Sequence, residues 1–368
     1  MPSEVCIYED LIAAFRVWDA AWDAEAENRV SKLVINRLVA GLLLLALGGC
    51  GGQATDAITV AGTTFPNTTG EEHWLTFQRN VESAETGSMD LRMLIYGQLG
   101  SEEQIVSGLR RGRVHFANLS ALVASTIVPE FTLLYAPFLF DSEAEADYVY
   151  DNYLTELFRD MLAPHDLHLM TWYEIGFLNV YGKTPIIVPD DAIGKRFRVG
   201  NSEAARLFAE AIGGDVIPLG YGEVVSSLQT GLIEAGENSI SLYARTGIAG
   251  EAPHVTITEH SFGISLIVTR KSWWDSLTGI ERQVLTDAFP AIEETRRGVR
   301  VEAMADLENG IEMGIVVHEL TPVQAAQWRL ATAGVTRRLV RSTRGRSAEI
   351  LELIDTGKRE FAESQAAD

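Results

Sequence analysis

Arg198 and Asn238 are the two side chains in this 368-residue chain best suited to gripping a small anion. Arg198 stands between Phe197 and Val199 in the run GKRFRVGNSEAA, and Asn238 stands next to last in the run LQTGLIEAGENS about forty residues downstream. A guanidinium presents a rigid fork of donors that fits a carboxylate with two parallel bonds, and a side-chain amide can both donate and accept. Strand alternation places Arg196 and Arg198 on one face, with Phe197 and Val199 on the other. Alternation alone therefore leaves the two arginines equivalent, and the ordinary alternative for either is a solvated surface charge.

Such a site needs rigid elements to hold it. Short β-rich runs at 57–61, 90–96 and 114–118 alternate with helical patterns at 71–86 and 101–112, which reads as an α/β lobe on a mostly parallel sheet. A second set follows, with strands at 177–181, 196–199 and 215–218 and helices at 202–212 and 221–230, so two similar lobes are expected. A further strand is expected at 266–268, followed by a helix from Gly279 toward Met313 that Pro290 should bend or break. Helices at 321–340 and 346–363 end the chain, and their arginines (Arg337, Arg338, Arg341, Arg344, Arg346) read as a solvated face on a helix pair packed against the second lobe. Trp273 and Trp274 read as core, and His165 and His168 as surface residues without a metal-binding partner set.

The net charge of −21 lacks the basic footprint that nucleic acid requires. It also means that an anionic ligand must be drawn in by a focused local cation. Near the amino terminus, Arg29, Lys32 and Arg37 precede an apolar run from Leu38 to Leu47, then Gly48, Gly49 and Cys50. That is the layout of a lipoprotein signal peptide, and the run is half of the roughly 20 apolar residues a membrane span needs. Residues 1–49 are thus expected to be an extension and signal peptide, with Cys50 lipidated and the protein tethered to a membrane. The acidic stretch before the apolar run (Glu4, Glu9, Asp10, Asp19, Asp23, Glu25, Glu27) is foreign to a signal peptide and points to a translation start at Val30 rather than Met1. Cleavage leaves 319 residues with 26 basic and 44 acidic side chains, a net charge of −18. That length exceeds one ordinary core, and with Cys6 removed no disulfide is expected.

Together with GQLGSEEQIVSGLRRGRVHF (97–116) and the turn at 129–138, the segment 194–238 resembles the substrate-binding proteins of TRAP (tripartite ATP-independent periplasmic) transporters, the DctP type. The likeness runs in the same order from Ile58 to about Phe289. It implies a periplasmic-binding-protein-like fold, two α/β lobes with a hinge and a ligand cleft between them. Transferred to this chain, lobe one takes 56–175 and 264–303, and lobe two takes 176–263 and 304–368. The implied function is an extracytoplasmic, lipid-anchored periplasmic receptor. It captures an organic acid by lobe closure and delivers it to small and large membrane subunits, without a cofactor.

The resemblance also selects site residues. It chooses Arg198 as the partner of the ligand carboxylate and puts Asn238 in the place of the site asparagine, whose alternative is a turn residue. Tyr221 takes the aromatic place that would cover an apolar part of the ligand, with core packing as the alternative, and Glu223 is either a ligand contact or a helix cap. Trp172, Glu174 and Gly176 match a W-x-E-x-G segment, but the position at which many members carry a second arginine is Leu178. In lobe one the candidate places fall near Leu119, Ser120 and Val123, and at Thr64 and Phe65. These departures favour a monocarboxylate with an apolar body.

No G-x-S-x-G, G-x-x-x-x-G-K-[ST] or H-E-x-x-H is present, so no catalytic, metal or phosphate-binding constellation stands out. The alternatives to the transport receptor are a sensory or scavenging receptor and an enzyme on the same architecture.

Overall fold

A computed structural model describes residues 57–84 and 89–367. The signal-peptide expectation and Cys50 lie outside the described residues. Strands β1 (Ile58–Ala61), β2 (Leu91–Leu94) and β3 (Phe116–Ser120) form a parallel group with β1 in the middle. Helix α1 (Thr69–Glu82) links β1 to β2, and α2 (Glu102–Arg110) links β2 to β3. Each starts where the sequence offers a cap. The Thr68 hydroxyl accepts from Glu71 N at 3.2 Å, and the Gln104 side chain accepts from Ser101 N at 2.7 Å.

After α3 (Glu143–Val149) the chain enters β4 (Leu167–Gly182), 16 residues long. Then come β5 (Arg196–Val199), α4 (Glu203–Ala211), β6 (Asp215–Pro218), α5 (Val224–Gln229), β7 (Ala235–Ser239) and α6 (Ile240–Arg245). β8 (His254–Arg270) runs for 17 residues antiparallel to β4. Beyond β8 the longer elements are α7 (Gly279–Asp287), α8 (Ile292–Glu312), α9 (Pro322–Thr332), α10 (Val335–Thr343) and α11 (Ser347–Ala367), with the short strand β9 (Val316–His318) between α8 and α9. As Pro290 requires, the expected single helix is broken between α7 and α8.

The nine strands run in the order β2-β1-β3-β8-β4-β7-β5-β6, with β9 also on β8. This order explains the lobes. β3 pairs only with the second half of β8, from Ser265 to Thr269, whereas β7 pairs only with the second half of β4, from Leu178 to Gly182. Because β4 and β8 are antiparallel, those two halves lie at opposite ends of the ribbon. One lobe therefore hangs on each end of a two-stranded ribbon. The register of that ribbon shifts at three places, the middle one between Glu174 and Gly176, where Gly176 has φ +89°. A bulge there bends the strand, and a conformation with positive φ is open to glycine at little cost.

Both faces of each sub-sheet are covered, as parallel strands require. In the first lobe Val60, Phe77, Phe116 and Ile267 pack on one side, joined by Trp274, while Leu119, Phe131, Phe158 and Leu266 pack on the other. In the second lobe Phe197, Val199, Phe208 and Trp328 face one way, and Tyr181, Leu228 and Tyr243 the other.

Two expectations differ from the structure. The helix expected at 321–340 is two helices, α9 and α10, divided at Ala333 and Gly334. The last helix was expected against the second lobe, but α11 lies on 139–153, a stretch assigned above to lobe one. Lys358 bonds Leu139 O at 2.8 Å, Phe361 packs on Tyr148, and Ile350 and Ile354 join the core that contains Tyr150 and Phe158. The arginines of α10 said nothing about which lobe the apolar stripe of α11 would bury.

Candidate functional site

Strand β5 brings its two arginines to one face and then treats them differently. Arg196, at the start of the strand, is exposed, pairs with Glu234 at 3.2 Å and donates to Gly231 O. Arg198, one turn of the pleat further in, is only 9% exposed and has no acidic partner among the described residues. Its Nε and Nη2 both donate to Leu219 O, at 3.3 and 3.0 Å, which fixes one edge of the guanidinium. The other edge, between Nη1 and Nη2, keeps its donors. Burying a cation without a counter-charge is costly.

The neighbours of that open edge are polar on one side and small on the other. The Tyr221 ring lies 5.9 Å from the guanidinium carbon, and its hydroxyl sits 3.1 Å from Thr246 Oγ1 and accepts from Asn238 Nδ2 at 3.3 Å. Asn238 Oδ1 accepts from Ser239 N at 3.0 Å, which orients the amide. Gly200 supplies room. A methyl group there would stand 3.8 and 4.0 Å from the guanidinium nitrogens and 3.5 Å from Leu122. Leu122 comes from the first lobe and was not singled out in the sequence, where attention fell on its neighbours Ser120 and Val123.

Arg198, Tyr221 and Asn238 thus form one contact cluster, and the other candidates are occupied elsewhere. Leu178 is buried in the ribbon, opposite Ser239 on β7 and Ser261 on β8. Glu223 accepts from Gly220 N at 3.1 Å, a cap on the turn that opens α5. Ser120 gives both its N–H and its hydroxyl to Glu102, each at 2.6 Å, and burial raises the pKa of that carboxyl. Val123 is buried in the first-lobe core. Trp172 is also core, its Nε1 donating to Thr155 at 2.9 Å with Tyr150 and Phe158 around it. Thr64 and Phe65 lie before α1, where the Thr64 hydroxyl is 3.1 Å from that of Thr68 and Phe65 O accepts from Thr68.

Residues 60–343 match the family model described as bacterial extracellular solute-binding protein, family 7. The chain belongs to this family. A solute-binding protein of Chromohalobacter salexigens is 27% identical over 256 residues, covering 69% of this chain and 76% of the relative. The structure of the periplasmic ectoine-binding protein of a Halomonas elongata TRAP transporter superposes with a TM-score of 0.77 at 22% identity, over 83% of this chain and all of that one. A TRAP solute-binding protein of Roseobacter denitrificans, solved with β-D-glucuronate, gives 0.76 at 22% identity, over 81% and 99%. These likenesses establish the two-lobed periplasmic-binding-protein fold, with a cleft between the lobes. The protein is thus an extracellular solute-binding receptor of family 7, and the two structures on which it superposes are solute-binding proteins of TRAP transporters. No helix among its described residues is long and apolar enough to cross a membrane.

Proposed function

We propose that this receptor captures a small organic acid through one strongly held carboxylate, which docks on the open edge of Arg198 when the lobes close. The observation that carries this reading is the buried guanidinium with one edge fixed to Leu219 O and no acidic partner among the described residues. Asn238 and Tyr221 flank it as polar and aromatic neighbours. Leu178 in place of a second arginine favours a monocarboxylate. Ectoine and glucuronate, named with two of the relatives, each carry one carboxylate, although C4-dicarboxylates are named with others. In this reading lobe one comprises 56–175 and 264–303 and lobe two 176–263 and 304–368, apart from α11. Micromolar affinity requires about 8 kcal/mol, and one charge-assisted bond contributes about 1.5 to 3 kcal/mol. Closure supplies the difference by excluding water and adding contacts from the first lobe, Leu122 among them.

A thermal-shift screen tests this with ectoine, D-glucuronate, succinate, orotate and neutral sugars. A ligand at 100 times its Kd stabilises the native state by about 2.7 kcal/mol. Stabilisation is expected from a monocarboxylate. A response to neutral sugars with none to any acid would reject the reading.

Lipid attachment at Cys50 belongs to the same proposal. Replacing Cys50 by Ala should move the protein from the membrane fraction to the soluble periplasmic fraction, because the acyl chains provide the tether. Wild-type protein found wholly in the soluble fraction would dispose of the anchor.

A further inference from the structure

Behind Arg198 and Asn238, on the same face of the second-lobe sheet, lies a tyrosine that the sequence did not single out. Tyr181 on β4 pairs with Gly236 on β7, two residues before Asn238. Its ring lies flat across that glycine. A Cβ at position 236 would stand 2.4 Å from the phenolic oxygen and 2.7 Å from Cζ, so any other residue would displace the ring. The ring continues from β4 over β7 toward β5, the strand that carries Arg198, and it is backed by Tyr243 at 5.7 Å and 22°. Tyr181 is 1% exposed, and its hydroxyl has no hydrogen-bond partner among the described residues.

An unpartnered buried hydroxyl costs free energy, and native proteins retain few of them without a use. Burial raises the pKa of this phenol, while the nearby Arg198 charge works the other way, so at neutral pH it is a protonated donor. We propose that Tyr181 is a specificity-determining residue whose hydroxyl donates a hydrogen bond to the solute carboxylate held by Arg198. The inference rests on the carboxylate reading above and adds a third polar contact to it. A tyrosine donor reaching over a glycine brings the proton toward the strand that carries Arg198. A neutral solute of similar shape would leave both the phenol and the guanidinium unsatisfied, so the pair selects for charge.

The decisive variant is Tyr181→Phe, which removes one oxygen and keeps the ring. Tyr150→Phe serves as control, because the Tyr150 hydroxyl is equally buried and unpartnered but lies against Phe140 and Trp172 in the first-lobe core. The full chain and both variants are titrated calorimetrically with whichever of D-glucuronate, ectoine, succinate or orotate most stabilises the wild type. Solute-free melting is recorded in parallel. Both variants should melt at or above the wild-type temperature without solute. Tyr181→Phe alone should lose about 10- to 100-fold in affinity, the value of one charge-assisted bond. Unchanged affinity in Tyr181→Phe while Arg198→Ala abolishes binding would overturn the tyrosine assignment and leave the carboxylate reading standing. A marked fall in the solute-free melting temperature of Tyr181→Phe would show a structural role and overturn it as well. Unchanged binding in both Tyr181→Phe and Arg198→Ala would bring down the carboxylate reading with it.

Discussion

Replacing Arg198 by Ala should weaken solute binding at least about 100-fold while leaving the unliganded protein folded. Two charge-assisted bonds to one carboxylate, each contributing about 1.5 to 3 kcal/mol, are lost together, and every 1.4 kcal/mol is tenfold in Kd. The fold should tolerate the change because no buried carboxylate among the described residues depends on this guanidinium. Its partner in the unliganded state is the carbonyl of Leu219. Calorimetric titration with the acid that stabilises wild type, together with urea unfolding, measures both halves of the claim. Gly200→Ala provides an independent approach to the same edge. The added methyl meets Leu122 and the guanidinium nitrogens at 3.5 to 4.0 Å, ordinary contact distances, so the empty site is not strained. It occupies space that a carboxylate on the Nη1 and Nη2 edge would need, and affinity should fall by about tenfold with Arg198 intact. Wild-type affinity in both variants would move the site elsewhere in the cleft.

The sequence announced the local part of this site and little of its support. Alternation correctly put Arg196 and Arg198 on one face. It could not show that Arg196 would meet Glu234 at the open end of β5 while Arg198 sank beneath Leu219, because both partners lie 20 or more residues away. Tyr221 and Asn238, which the structure brings into one cluster with Arg198, could be singled out because they fall in one continuous run whose order matches the family. Leu122 was missed because its role depends on how closely the first lobe approaches Gly200, which no local pattern encodes.

The two long strands were seen only as fragments at 177–181 and 266–268. Register shifts around Gly176 break the alternation of β4, and β8 from Ser261 to Thr269 is buried on both faces, so no period-2 signal survives. What fragments could not reveal is that these strands belong to both lobes. The shortest paths between the lobes are therefore the peptide bonds of β4 and β8, and whatever fixes those strands at the bend sets the hinge.

Arg300 is such a fixing group, and its loss should be strongly destabilising. From α8 it grips Glu174, two residues before Gly176, with Nε 3.1 Å and Nη2 2.6 Å from the two carboxylate oxygens, and it holds Asp147 at 2.8 Å. The Glu174 side chain is wholly buried, and the Arg300 side chain is 26% exposed. Removing one partner of a buried pair leaves an uncompensated charge, so Arg300→Met should cost about 3 to 5 kcal/mol at pH 7.5. Asp147 keeps Arg296 at 3.1 Å, and Glu143, which also pairs with Arg300 at 3.1 Å, is 42% exposed, so most of the loss falls on the wholly buried Glu174.

The pH dependence identifies the cause. Burial raises the Glu174 pKa in the folded protein even though Arg300 opposes the shift, so deleting the arginine raises it further. A carboxyl with a raised folded pKa binds its proton more tightly in the native state. Its contribution to stability therefore improves as pH falls through the folded pKa toward the ordinary Glu value, and it worsens as pH rises. The Arg300→Met deficit should accordingly shrink between pH 7.5 and pH 5 in urea unfolding, and Arg300→Met with Glu174→Gln should recover much of it at pH 7.5. A deficit of equal size at both pH values would mean that lost packing, not a stranded carboxylate, is responsible. In that case Glu174 would no longer explain why α8 is tied to the ribbon at the bend. With the stranded charge relieved by the second substitution but the tie to α8 still absent, the double variant also separates stability from hinge stiffness. It should fold well and yet bind solute with altered affinity, because the energy difference between open and closed lobes is set at the same bulge.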